Sequence, residues 1–247
     1  MIDLDGTLYR GSEAIPGASD FIAELTRREI AYLFVTNRAN RLPREVADQL
    51  TSMGIPAAPE EVLTSAQATA AYIGPCRAFC IGENGLIDTL ESAGIEVVED
   101  RPDVVVVSYD RGLTYDRLTK AHRHLMAGAR FVATNPDPYI TLEDGMAPET
   151  GANVAALQSA SGKTAEIVGK PQPAIVEAAL FRLGLPPESC IVLGDNVHTD
   201  ILAAHGLKMR SALILTGVSS RSDAEKAGIS PTWIAEDYPD LMSQLFT

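Results

Sequence analysis

The chain has 247 residues, of which 46% are hydrophobic and only 6% aromatic. That is enough for one large domain or two modest ones, with cores built mainly of Val, Ile, Leu and Ala. A formal net charge of −13 argues against a nucleic-acid surface, which needs a basic stripe, but not against a small anionic substrate met by a few local cations and a metal.

Apolar, β-branched bursts alternate with helix-period segments along the chain. The first burst is Met1–Leu4, and only Met1 and Ile2 precede Asp3, where a central strand usually runs about five or six residues. "GASDFIAELTRREI" places Phe21, Ile22 and Leu25 on one helical face, and "AYLFVT" (31–36) is the next strand. "PREVADQLTSMG" opens with Pro and closes with Gly, as a helix should. The bursts "RAFCI" (77–81), "DVVVVS" (103–108), "RFVAT" (130–134) and "AEIV" (165–168) follow. After them come the helical "PQPAIVEAALFRLG" and the strands "CIVLG" (190–194) and "SALILT" (211–216). Short apolar runs ending in Gly, Asn or Asp suit strands buried on both faces. Strand–helix alternation of this kind reads as α/β with parallel sheets. No internal repeat or low-complexity tract interrupts it. No apolar run is long enough to span a bilayer, and no signal peptide fits ahead of Asp3, so a cytoplasmic protein is expected. The cysteines, Cys76, Cys80 and Cys190, read as reduced, mostly buried thiols.

Four stretches carry chemistry-bearing residues. Asp3-Leu-Asp5-Gly6 lacks the third ligand and closing Glu of a calcium loop. A hairpin turn at Asp5-Gly6 leaves Asp3 unexplained. The remaining reading is a strand whose carboxyl end presents two carboxylates to a crevice, where open α/β sheets bind ligands. "FVTNRAN" ends a strand in Thr36-Asn37, either a helix cap or Asx turn, or an anion site made by a hydroxyl and a backbone N–H. "VGKPQP" sets Lys170 after a strand and a Gly, as an exposed loop lysine or as a cation aimed into the same crevice. In "VLGDNVHTDILAA", Asp195 ends a buried strand, while Thr199 and Asp200 are expected to open a helix, where an acidic group is favourable anyway. His198 lies in this last stretch and is a candidate to approach the site. His122 and His124 are two apart on a helix and diverge; His205 reads as packing or surface. "SGKT" (161–164) is no phosphate loop, because Leu157 stands where its first Gly belongs.

In this order, D-x-D-G-T, a strand ending in Thr, a Lys and G-D-x-x-x-x-D, the chain resembles the haloacid dehalogenase (HAD) superfamily of phosphohydrolases. "DLDGTLYRG", "FVTNRAN", "GENGL", "FVATNPD", "EDG" and "VGKPQP" are similar to its NagD-like branch, and "TNRAN" with "GENGLIDTL" to the AraL-type sugar phosphatases within it. The resemblance implies a Rossmann-like parallel-sheet core with a smaller inserted α/β cap. Only about 30 residues separate Gly6 from Thr36, whereas about 130 separate Asn37 from Lys170. The cap is therefore expected at 75–165 and the core at 1–74 with 166–247.

The resemblance also implies roles. Asp3 would be the nucleophile that forms an aspartyl-phosphate, and Asp5 the acid and then base of the two half-reactions. Thr36, the Asn37 backbone and Lys170 would bind phosphate. Mg2+ would sit on Asp3, the main-chain carbonyl of Asp5, and Asp195. Asn196 and Asp200 would orient metal waters and Lys170. The expected activity is Mg2+-dependent hydrolysis of small phosphomonoesters, sugar phosphates first. The alternatives are a nucleotide or pyridoxal phosphate as substrate, or a ligand-sensing protein with a spent site. Phosphomutases and phosphonate hydrolases of the superfamily are disfavoured by the position of the cap, and a dehalogenase by Asp5. The partner is a small phosphorylated metabolite, not nucleic acid or a membrane. Subunit number is left open, a homo-oligomer included. The stretch "PDPYITLEDGMAPETG" (136–150 and the Gly beyond) is expected to select substrate as a polar loop.

Overall fold

The computed structural model describes residues 1–142 and 145–246. The chain divides into two compact units: Met1–Thr36, Pro43–Leu63 and Lys170–Thr247 form one, and Asn37–Leu42 with Thr64–Gly169 the other.

The first unit is organised by a two-residue wedge. Ile2 bridges both Phe34 and Leu193 in parallel. Ile2 donates its N–H to the Leu33 carbonyl at 2.9 Å and accepts from Val35 at 2.8 Å, while Asp3 donates to Leu193 at 2.9 Å. The opening segment is thus central although short: it joins the strand Phe34–Thr36, itself paired with Val62–Thr64, to Ile191–Gly194. From there the parallel order continues through Arg210–Ile214 to Trp233–Ala235. Parallel neighbours need long crossovers, and helices supply them. Helix Ala18–Arg27 buries Ala18, Phe21, Ile22 and Leu25, the i, i+3, i+4, i+7 face read from the sequence, and each of the three larger side chains contributes roughly 1.5–3 kcal/mol on burial. Helix Pro43–Ser52 runs out at Gly54, whose φ is 81°. Ile55 then folds back, its N–H on the Leu50 carbonyl at 3.0 Å. These helices close one apolar cluster with Ile2, Leu4, Phe34, Leu193 and Tyr238.

The second unit is a five-stranded parallel sheet in the order Glu166–Ile167, Arg130–Ala133, Val104–Val107, Arg77–Ile81, Glu96–Val97. All four valines of Val104–Val107 are buried, as a strand covered on both faces requires. The helices are Ser65–Ile73, Asn84–Ser92, Tyr115–Met126 and Thr150–Ser161.

The units meet the chain at other places than expected from the sequence. Thr64 caps helix Ser65–Ile73 in a reciprocal box with Gln67, so residues 64–74 group with the second unit. The burst at 165–168, read as a core strand, pairs Glu166 with Val132 and Ile167 with Ala133 in the second sheet. The stretch read as a selecting loop is an antiparallel hairpin of Tyr139–Leu142 and Gly145–Pro148, with Glu143 and Asp144 of "EDG" outside the described residues. A second short hairpin, Tyr9–Arg10 with Glu13–Ala14, follows Gly6. Two-residue strands are too short to show alternation. Cys76, Cys80 and Cys190 are free thiols, Cys76 only half-buried. No helix among the described residues is long and apolar enough to cross a membrane.

Candidate active site

The functional side chains of the first unit gather at the carboxyl ends of its parallel strands, where loops can leave the sheet and side chains can converge. Asp3 follows Ile2, Thr36 ends Phe34–Thr36, and Asp195 follows Ile191–Gly194. Lys170 is 4% exposed. Its Nζ donates to Asp3 Oδ1, to Asp200 Oδ1 at 2.7 Å and to the Val35 carbonyl at 3.1 Å. The exposed-loop reading of this lysine is therefore wrong: its stem is buried and its ammonium is held between two carboxylates.

Asp195 and Asp200 are 2% and 1% exposed. Asp195 Oδ2 accepts the Val218 N–H at 2.6 Å, and its Oδ1 lies 3.3 Å from Thr7 Oγ1. Thr7 Oγ1 is also 3.4 Å from Asp3 Oδ2, so one hydroxyl serves two carboxylates. Asp200 lies, as expected, where a helix opens, in the first turn of the π-helical Val197–Ile201 that runs on into Leu202–Gly206, and its Oδ2 turns back onto the Asn196 N–H and the Thr199 hydroxyl, both at 3.3 Å. Three glycines make the room. A Cβ at Gly6, whose φ is 77°, would stand 2.4 Å from Asp195 Oδ2; one at Gly217 would stand 1.8 Å from the same oxygen, and one at Gly194 2.3 Å from Asp200 Cγ.

The electrostatics follow from burial. Desolvation, then Asp3 and Asp200, push Asp195 up to about 7; desolvation, then Asp3, push Asp200 up to about 6 against the pull of Lys170. Burial alone would lower the Lys170 ammonium, but Asp200 and Asp3 outweigh it and raise it. An ion pair cannot lower its acid and raise its base in full when one ammonium faces three carboxylates. Lys170 stays charged, and the cluster is short of positive charge.

That shortage is the test of a metal. One oxygen from each of Asp3, Asp195 and Asp200 lies within 4.8 Å of the others. The donors are all hard oxygens and few, as suits Mg2+, which keeps most of its waters. The residues fit. The carboxylate cluster contains Asp200 where the sequence reading used the Asp5 carbonyl; the Asp5 side chain is exposed and accepts the Tyr9 hydroxyl at 3.1 Å.

The other expected site residues divide. Thr36 is 3% exposed and follows Val35, whose carbonyl Lys170 holds. Asn196 Oδ1 accepts the His198 N–H at 2.9 Å, so its side chain caps the turn while its backbone N–H serves Asp200. His198 is exposed, and its backbone rather than its ring takes part. Asn37 belongs to the second unit, where its Nδ2 donates to Asp137 Oδ2 at 3.0 Å. Sequence reasoning missed Thr7, Tyr9, Gly217 and Val218. Thr7 was legible as the Thr of D-x-D-G-T; the others carry no local signal.

A family model described as haloacid dehalogenase-like hydrolase matches residues 1–96, and a second, HAD-hydrolase-like, matches 167–241. An acid sugar phosphatase of Staphylococcus aureus is 36% identical over 99% of this chain and 96% of its own length. NagD from Escherichia coli K-12 superposes with a TM-score of 0.91 at 33% identity, covering 96% of this chain and 95% of that one. A p-nitrophenyl phosphatase from Archaeoglobus fulgidus superposes with a TM-score of 0.93 at 32% identity, covering 99% and 98%.

Proposed function

Because the chain belongs to the haloacid dehalogenase-like hydrolase family and is a phosphoric monoester hydrolase of its NagD-like kind, we propose that it hydrolyses small sugar phosphates through an aspartyl-phosphate on Asp3. The observation that carries this is the buried group of Asp3, Lys170, Asp200 and Asp195 at the strand ends. Phosphoryl transfer is mostly positioning and charge neutralisation, and this group supplies both.

In the first half-reaction an Asp3 carboxylate oxygen bonds to phosphorus as the ester P–O bond breaks, and the leaving alkoxide takes a proton from Asp5. In the second, Asp5 accepts a proton from water, whose oxygen bonds to phosphorus as the Asp3–phosphorus bond breaks, releasing inorganic phosphate. Asp5 is exposed, so it can exchange protons with solvent, and the Tyr9 hydroxyl at 3.1 Å orients it. Lys170 pairs with Asp3 and fixes its direction. The Thr36 hydroxyl and the Asn37 N–H donate to phosphate oxygens. Asp3, Asp195 and the Asp5 carbonyl, with Asp200 beside them, are the residues that would hold Mg2+, whose contribution is to neutralise the phosphate dianion among carboxylates. The second unit is read as the cap that chooses the leaving group.

Sugar phosphates are placed first because of the acid sugar phosphatase relative. A ligand-sensing role would require a lost Asp3, Asp5 or Lys170, and all three are present. The test is a phosphate-release screen over sugar phosphates, nucleoside monophosphates and pyridoxal phosphate, with and without Mg2+, using the Asp3→Asn variant as control. Mg2+-dependent release led by sugar phosphates, and none from Asp3→Asn, is expected. Near-normal turnover by Asp3→Asn would sink the covalent mechanism; a ranking led by nucleotides or pyridoxal phosphate would sink the substrate class.

A further inference from the structure

The first unit holds two hydroxyls that the reaction above does not use, and both grip the main chain of the turn that carries Asp3. Thr216 Oγ1 donates to the Gly6 carbonyl at 2.8 Å, and the Tyr238 hydroxyl donates to the Thr7 carbonyl at 2.8 Å. Both come from far along the chain: Thr216 lies just beyond strand Arg210–Ile214, and Tyr238 opens helix Tyr238–Leu245. Tyr238 is fully buried. Its ring lies 5.3 Å from that of Phe21, centroid to centroid, and a Cβ at Gly17 would stand 2.8 Å from its own Cβ. The phenol is therefore fixed under the turn. Burial, and then Asp3 and Asp195, push it up, so it keeps its proton and donates.

Thr216 also begins the segment that holds Asp195. Val218 donates its N–H to Asp195 Oδ2 at 2.6 Å, and Ser219 donates its own to the Asp195 carbonyl at 3.0 Å. Ser219 Oγ accepts the Val197 N–H at 3.0 Å, which pins the segment to the loop beyond Asp195. From Asp195 Oδ1 the path returns to Thr7 Oγ1 at 3.3 Å, and Thr7 is bonded to Gly6. Gly6, Thr216, Val218, Asp195 and Thr7 thus form a closed ring, shut by three hydrogen bonds. Within that ring the Thr216 hydroxyl ties the segment to the Asp3 turn. Arg10 Nε braces the Thr216 carbonyl at 2.6 Å, but from an exposed side chain for which water competes.

We propose that Thr216 and Tyr238 are positioning residues for the metal site: by holding the Gly6 and Thr7 carbonyls, they keep the turn that carries Asp3 in register with Asp195. The inference rests on the reading of Asp3 and Asp195 as residues that would hold Mg2+. That ion demands near-ideal geometry of its oxygens, so the spacing of the two carboxylates matters as much as their charge. Hydrogen bonds behind the ligands are what set such a spacing. Without the Thr216 hydroxyl the ring opens. Asp195 stays with its own segment, the Asp3 turn is released from it, and both carboxylates keep their charge while losing their register.

The test uses the full chain without substrate and Mn2+ as the probe, since Mn2+ takes the same kind of oxygen set as Mg2+. Binding is read from the loss of the free-ion electron paramagnetic resonance signal. Thr216→Val, which keeps the branched shape and loses the hydroxyl, should weaken Mn2+ binding about three- to tenfold, the size of one lost hydrogen bond. Thr216→Ser, which keeps the hydroxyl, should stay within about twofold of wild type. Tyr238→Phe should weaken binding in the same direction, and it carries the test should Thr216→Val not fold by circular dichroism. Melting temperatures in chelator are measured alongside. Wild-type Mn2+ affinity in the folded Thr216→Val or Tyr238→Phe variant, with only the melting temperature lowered, marks a merely structural hydroxyl and overturns the proposal. So does a Thr216→Ser variant that binds as weakly as Thr216→Val. A wild type that takes up no Mn2+ overturns the metal reading above, and the positioning role with it.

Discussion

Replacing Lys170 by Met keeps the buried stem and removes the ammonium that faces Asp3 and Asp200. Asp200 and Asp195, 1% and 2% exposed, then share their pocket with Asp3 and no cation from Lys170. Removing one partner of a buried ion pair typically costs about 3–5 kcal/mol, because the remaining charge stays desolvated. The cost should depend on pH with a definite sign. Asp195 and Asp200 already titrate near 7 and 6 in the fold, above their ordinary 3.8, so the native state binds more protons than the unfolded chain between those values. Stability carried by such groups is complete below about pH 4 and is lost as pH rises through the folded values. Losing Lys170 pushes both groups higher still, which widens that window. Urea denaturation in chelator, wild type against Lys170→Met, should show a deficit of about 3–5 kcal/mol near pH 8 that narrows near pH 5 as the folded carboxylates take up protons. Equal deficits at both pH values, or none, with unchanged m-values, would refute the assignment of Lys170 as the cation of this cluster. Turnover by the variant should fall by at least about 100-fold, in line with the loss of a preorganised charge at the reacting centre.

Three further outcomes are expected. Asp5→Asn should lower kcat by at least about 100-fold, the usual size of an acid–base contribution, whereas Tyr9→Phe, which removes the hydroxyl that donates to Asp5, should cost less than about tenfold in steady-state assays. Chelation should abolish phosphate release and Mg2+ restore it, while Ca2+, which prefers more ligands and longer bonds, should not; full activity in chelator would remove Asp195 from its role. Gly217→Ala would set a Cβ 1.8 Å from Asp195 Oδ2, so the Mg2+ concentration for half-maximal activity should rise about 10–100-fold; an unchanged requirement in a folded variant would count against Asp195 as a ligand.

Much of the site was readable because its chemistry is written locally. Asp3 and Asp5 are two apart at a strand end, Lys170 follows a strand and a Gly, and Asp195 ends a buried run. Each falls where a parallel α/β sheet delivers its side chains, and the strand bursts were legible from their unbroken apolar character. The helix faces of Phe21, Ile22 and Leu25 and of Val46, Ala47 and Leu50 follow from a 3.6-residue period that any amphipathic helix must obey.

Tertiary structure decided what no local window holds. The two-residue start is a central strand only because Phe34 and Leu193 flank Ile2 on both sides. Asp200, which locally reads as a helix-opening acid, turns inward because Lys170, 30 residues earlier in the chain, lies 2.7 Å from it. Residues 165–168 join the second sheet rather than the first because their backbone pairs with Val132 and Ala133. Asn196, which the resemblance implies would orient metal waters, accepts the His198 N–H with its side chain and so caps its own turn. Sequence determines which groups the chain owns and which elements they ride on, through propensities and periods that act over a few residues. Pairing register, burial and the sharing of one ammonium among carboxylates depend on groups far apart in the chain, and only the folded packing brings those together.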